Sequence, residues 1–203
     1  KINHNNFYLS GTMVGAGQVS FDAGQTINNF NEDKLLNNLD NIKTFDFQGT
    51  TKCPGLVHKD IWEMVGGWSE EFSPTGGDDS DFAMKLWKSN IRIFKGLGRC
   101  LAYHFGSITT RKKDKSLFTY LGSRGNKIFL KKWGININFF ENFYLNAGLD
   151  KKKNFIFTKY NGPLKDPIKN LRYFKELIKC KLQLFYLNLS KFNKINFKNL
   201  ISF

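Results

Sequence analysis

Three carboxylates, Asp78, Asp79 and Asp81, fall within four positions at the end of the stretch GGWSEEFSPTGGDDSDF, residues 66–82. One acid suffices to cap a helix N-terminus, where the macrodipole favours negative charge. Three acids crowd like charges, which raises the pKa of at least one of them. A carboxylate made more basic at the lip of a loop is suited to take a proton as a general base. Capping by Asp78 or Asp79, with Asp81 in the first turn, describes the local structure and leaves proton transfer open. Trp68, beside the glycine pair, is either a core residue or a platform for the apolar face of a sugar. His104, in YHFGS, reads by itself as a strand histidine satisfied in the core. The RKKDK run after it reads as an ordinary solvated loop. His4 and His58 have no partner pattern and read as surface or core residues.

These residues need elements to position them. FYLSGTMV (7–14) and residues 17–21 read as short strands, and a loop over 22–43 holds a short helix near 32–39. FDFQGTTKCPGLV suits a strand running into a turn at Pro54-Gly55. A helix opens at Lys59 and stops at Gly66-Gly67, and a second runs over about 79–89 with Phe82, Met84 and Leu86 inward. IRIF (91–94) and CLAYHF (100–105) read as two strands joined by a turn at Gly96–Gly98, followed by helices over 116–133 and 138–148. Beyond KKKN, one long helix is expected. Ile168, Leu171, Ile178, Leu182, Phe185, Leu189 and Phe192 recur every three or four residues with lysines between them. The organisation is an α/β body over 1–150 and a basic helical arm over 151–203.

The 203 residues, 41% of them apolar, suffice for one core with an appendage. The charge is uneven: residues 151–203 carry 13 Lys/Arg against 2 Asp/Glu, so the arm holds most of the net +14. Three scattered cysteines, Cys53, Cys100 and Cys180, argue against a disulfide scaffold or a zinc site and for reduced thiols in the cytoplasm. No apolar run reaches the roughly 18 residues that span a bilayer, and the start carries no signal-peptide pattern. A chain that begins with Lys1 is expected to be a piece of a longer protein.

CPGLVHKDIWEMVGGWSEEFSPTGGDDSDFAMKLW, residues 53–87, resembles the acceptor-side motif of family 2 glycosyltransferases with the GT-A fold. Gly66-Gly67-Trp68, Glu70-Glu71-Phe72 and Asp78-Asp79-Ser80-Asp81 carry the likeness. YHFGSITTR (103–111) resembles the family's strand-end histidine and the loop after it, and FLKKWG (129–134) resembles the Lys-Trp-Gly close of the transferase domain. The resemblance implies a partial GT-A-like, Rossmann-like mixed α/β sheet with flanking helices, followed by the amphipathic arm. It also implies an inverting, hexosyltransferase-type transfer from a nucleotide-diphosphate sugar to a glycan or lipid-linked acceptor, as in polysaccharide biosynthesis. Asp79 matches the general base, with Trp68, Asp78 and Asp81 on the acceptor, Arg111 at the donor diphosphate and His104 on a Mn²⁺ or Mg²⁺ ion. The family's Asp-x-Asp motif and nucleotide-binding half would lie upstream of residue 1.

Two other readings compete. One is a non-catalytic sugar-binding protein. The other is a basic protein that binds nucleic acid or a membrane. Nucleic acid is disfavoured because the charge sits on one helix, no binding motif is present, and the acidic loop repels phosphate. For the arm, a peripheral membrane contact through 165–195 stands beside packing on the body or on a second subunit. The expected location is cytoplasmic, at the membrane surface if the arm docks there.

Overall fold

The computed structural model describes residues 6–42, 45–51, 54–74, 76–106, 115–147, 155 and 157–193. Its centre is a four-stranded mixed sheet in the order β2-β4-β1-β3. Strand β1 (Phe7–Gly15) runs parallel to β4 (Ile93–His104) and antiparallel to β3 (Gly55–Val57), while β2 (Phe47–Gln48) pairs antiparallel with β4. Alternation along β1 buries Tyr8, Ser10, Thr12 and Val14. Of these, the hydroxyls are satisfied: Ser10 shares a 2.7 Å hydrogen bond with Thr50, and Thr12 donates to the Leu97 carbonyl at 2.9 Å.

Residues 91–105 do not form the two strands joined by a turn that the glycines suggest. They hold one strand, β4, with an irregularity: Gly11 pairs with Leu97 and Thr12 with Leu101, so Gly98–Cys100 bulge out and pairing resumes. Gly96 serves packing, because a Cβ there would run into the Phe47 ring. The expected strand at 17–21 reduces to one bridge, Val14 to Val19. The expected single helix at 32–39 is two short ones, α1 (Glu32–Leu36) and α2 (Leu39–Ile42).

The remaining helices pack on the sheet and on one another. They are α3 (Lys59–Val65), α4 (Asp78–Lys88), α5 (Lys115–Trp133), α6 (Ile137–Phe143) and α7 (Leu171–Asn193). His58, which carried no pattern, is the N-cap of α3, its ring Nδ1 accepting from the Asp60 N–H at 3.3 Å. Phe82, Leu86, Phe94, Phe129 and Phe140 are fully buried and form one core with Trp87 and Leu145. Each such side chain contributes about 1.5–3 kcal/mol by leaving water.

The arm is stitched to the body. Gln48 N–H donates to Thr158 O, Tyr160 N–H to Asp46 O and Leu164 N–H to Arg92 O, at 2.7, 2.8 and 2.8 Å. Tyr173 then packs edge-on against Phe139 and Phe143 of α6. No helix among the described residues is long and apolar enough to cross a membrane.

Candidate functional site

Helix α4 begins at Asp78, with Gly77 in the N-cap position at φ 91°. None of the three acids is therefore the cap. Asp78 turns back and accepts the Gly76 N–H at 3.0 Å, which tightens the loop that leads into the helix. Asp79 follows at the second helical position, half-buried.

Asp81, one turn in, is 0% exposed, and both of its oxygens are used. Oδ2 accepts from Ser69 Oγ at 2.6 Å and from Lys132 Nζ at 3.1 Å, and Oδ1 accepts from the Trp133 indole N–H at 2.7 Å. A carboxylate so enclosed serves the interior, which differs from the acceptor-binding role that the resemblance implies for it. Lys132 also reaches Glu71 at 2.6 Å. Burial alone would push its ammonium down, but hydrogen bonds to Glu71 and Asp81, with their charges, hold it above the ordinary lysine value. Lys85, which donates to Gly67 O at 2.9 Å, is held below that value, chiefly by burial, although Asp81 opposes the shift.

The acidic loop is thus fixed by α5 from several sides. Arg124 donates to the carbonyls of Glu71 and Ser73, both at 2.9 Å. Gly125 lies so close to Gly76 that a Cβ would collide with its carbonyl oxygen. Lys132 and Trp133 hold the far end through Asp81. Two pieces of sequence 50 residues apart, GGDDSD and KKWG, therefore form one structural unit.

Trp68 stacks on Phe82 with ring centroids 5.3 Å apart and planes at 17°, and Trp62 leans on Phe82 at 5.0 Å. With Tyr8, Lys59 and β3 these rings line a depression of about 470 Å³. Residues three and four apart share a helix face, so Asp78 and Asp79 stand one turn N-terminal of Phe82. Neither carboxylate is among the residues that line the depression.

Sequence reasoning missed a buried polar cluster beside α4. Glu141, on α6, accepts from Ser80 Oγ at 3.2 Å and from Thr51 Oγ1 at 3.5 Å, while Thr50 meets Ser10. Glu141 sits in the Phe-rich run NFFENF with no local signal of its role, which only the approach of α6 to α4 creates. Also unforeseen is a wider depression of about 1010 Å³ beside β2 and β4, lined by Asp46, Lys95, Arg99, Lys159 and Tyr160. Asp46 pairs with Lys95 at 2.6 Å and accepts the Gly98 N–H at 3.0 Å. Burial would raise its pKa, but these partners together hold the carboxyl below the usual range.

His104 ends β4, opposite Gly15 at the end of β1. The Gly106 N–H points to its Nδ1 at 3.2 Å, and the same nitrogen lies 3.3 Å from Ala16 O. Among the described residues no group of three or more His, Cys, Asp or Glu side chains is placed to hold a metal ion. The described side chains thus do not make a metal centre on their own; His104 could supply one ligand. Arg111 and Cys53 lie outside the described residues. Cys100 and Cys180 are free thiols.

The fold and site define an α/β protein whose acidic helix start is clamped against a neighbouring helix. The chain matches no protein-family model, no curated protein and no solved structure.

Proposed function

We propose that this chain carries the acceptor side of an inverting glycosyltransferase of GT-A architecture, with Asp79 as general base. The observation that supports it most is the place of Asp79, half-buried in the first turn of α4, three residues before Phe82 of the Trp68–Phe82 stack. Asp78 is tied to the Gly76 N–H and Asp81 is enclosed by Ser69, Lys132 and Trp133. Asp79 lies between them in the first turn of α4. In this reading a saccharide acceptor rests against Trp68 and Trp62. Asp79 takes the proton of the attacking hydroxyl as the new glycosidic bond forms and the bond to the donor's diphosphate breaks. Asp81 and Lys132 act as positioning residues.

The donor is a nucleotide-diphosphate sugar and the acceptor a glycan or lipid-linked sugar. A Mn²⁺ or Mg²⁺ ion belongs to this reading only if side chains beyond those described complete its site, and no step above depends on it. Arg111 remains the proposed contact for the donor diphosphate.

The test is Asp79→Asn in the full-length protein, assayed for transfer from a panel of nucleotide-diphosphate sugars. Removing a general base lowers kcat by about 10²- to 10⁴-fold, with KM and Tm near wild type. Turnover close to wild type would remove Asp79 from the role. A sugar-binding protein without transfer is the second reading, favoured by the Trp62, Trp68 and Tyr8 rings that line the depression. It predicts glycan binding that Trp68→Ala abolishes, with no turnover in any form of the protein.

A further inference from the structure

Helix α7 has two apolar faces, and the body covers only one of them. Tyr173, Leu177, Cys180, Leu184 and Leu187 pack into the core or against it. Leu171, Phe174, Ile178, Leu182, Phe185 and Leu189 form a second stripe that is open to solvent. Ile178 is 59% exposed, Leu182 51% and Phe185 57%. At 3.6 residues per turn the centres of the two faces lie about 150° apart. The open stripe therefore points away from the body along a 23-residue helix about 35 Å long. An apolar stripe of this extent on a protein surface marks an interaction site.

We infer that this stripe docks α7 flat on the surface of an anionic lipid bilayer, with the body standing off on the far side. The charge pattern selects that occupant. Residues 165–193 hold seven Lys/Arg and two Asp/Glu. By helical geometry Arg172, Lys175 and Lys179 flank the stripe on one side, Lys179 also pairing with Glu176 at 2.8 Å, whereas Lys181 on the other side donates to Gly134 O of the body at 3.2 Å. Lysines in that position lay their stems along the lipid and keep their ammonium groups at the headgroups. The stripe then enters the headgroup–acyl boundary by about 5–10 Å. A second copy of α7 on the same stripe would instead bring two cationic flanks together. The helix stays in the plane of the surface, consistent with no described helix being apolar enough to span. The inference does not rest on the transferase reading, so the failure of either leaves the other standing.

The test is co-sedimentation of the 203-residue chain with phosphatidylcholine vesicles, with and without roughly 30% phosphatidylglycerol. Binding to the anionic vesicles is expected to exceed binding to neutral ones by about 10-fold or more, and to fall as salt rises to about 0.5 M. The double substitution Leu182→Glu/Phe185→Glu should reduce it by about 10-fold or more, with helicity and Tm retained because both side chains face solvent. Phe185→Ser alone provides a milder variant, and the lipid and salt dependence of the unmutated chain needs none. No preference for anionic vesicles, or unchanged binding by the double variant, overturns the inference. So does a dimer in sedimentation velocity that the double substitution dissolves while vesicles bind neither form.

Discussion

Asp81 organises more of the acidic loop than its neighbours, because Ser69, Lys132 and Trp133 all converge on its carboxylate. Removing it leaves the Trp133 N–H and the Ser69 hydroxyl without their shared acceptor, and Lys132 with Glu71 as its remaining carboxylate partner. Breaking one partner of a buried ion pair costs about 3–5 kcal/mol. Asp81→Ala is therefore expected to lower Tm by on the order of 10 °C for a chain of this length, read by thermal denaturation. Asp79→Asn, by contrast, should leave Tm within about 2 °C while affecting turnover. A double-mutant cycle of Asp81→Ala with Lys132→Met should return a coupling of about 1 kcal/mol or more; additive effects would mean that the two side chains do not act as a pair. The sequence showed an excess of acid over what capping needs. Which acid went inward was not legible, because the indole and ammonium that enclose Asp81 arrive from 50 residues away.

At the scale of elements, α5 and the acidic loop fit because Gly125 has no side chain. Replacing an interior helical glycine by alanine ordinarily stabilises by about 0.5–1 kcal/mol. Here the added methyl meets the Gly76 carbonyl, a backbone atom that cannot swing aside. Gly125→Ala should invert the usual sign and cost about 1–3 kcal/mol, measured by urea denaturation. A stabilising outcome would mean that the loop is free to shift. Helices α3 and α4 were readable within a residue, since their starts and stops are local signals of cap, glycine and apolar period. Strand β4 was not, because Gly96 and Gly98 look alike in sequence. One is small to admit the Phe47 ring; the other supplies an N–H to Asp46 within a bulge. Those uses depend on β2, which lies about 50 residues earlier.

For the whole molecule, the closure of the arm onto the body is the feature with a measurable pH signature. Asp46 joins β4 through Lys95 and Gly98, and its carbonyl receives Tyr160 from the returning chain. Its folded pKa is lowered, so the unfolded chain takes up the proton first as pH falls. The stabilisation is complete above the unfolded value of about 3.9 and is lost as pH drops through the lower folded value. Asp46→Asn should flatten the acid limb of the stability–pH curve below about pH 5 and reduce the difference in Tm between pH 4 and pH 7. An unchanged limb would place the acid sensitivity elsewhere.

Composition, local punctuation and short-range periodicity were enough to establish an α/β chain, the helix that begins at the acids and the basic amphipathic arm. They work because strand alternation, helix stops and apolar repeats are decided by neighbours a few residues apart. The division of the three acids, the single strand through Gly96, the place of Glu141 and the two faces of α7 were settled only in three dimensions. Each depends on a partner brought from far along the chain, and the burial or exposure that partner imposes is not written into the local residues.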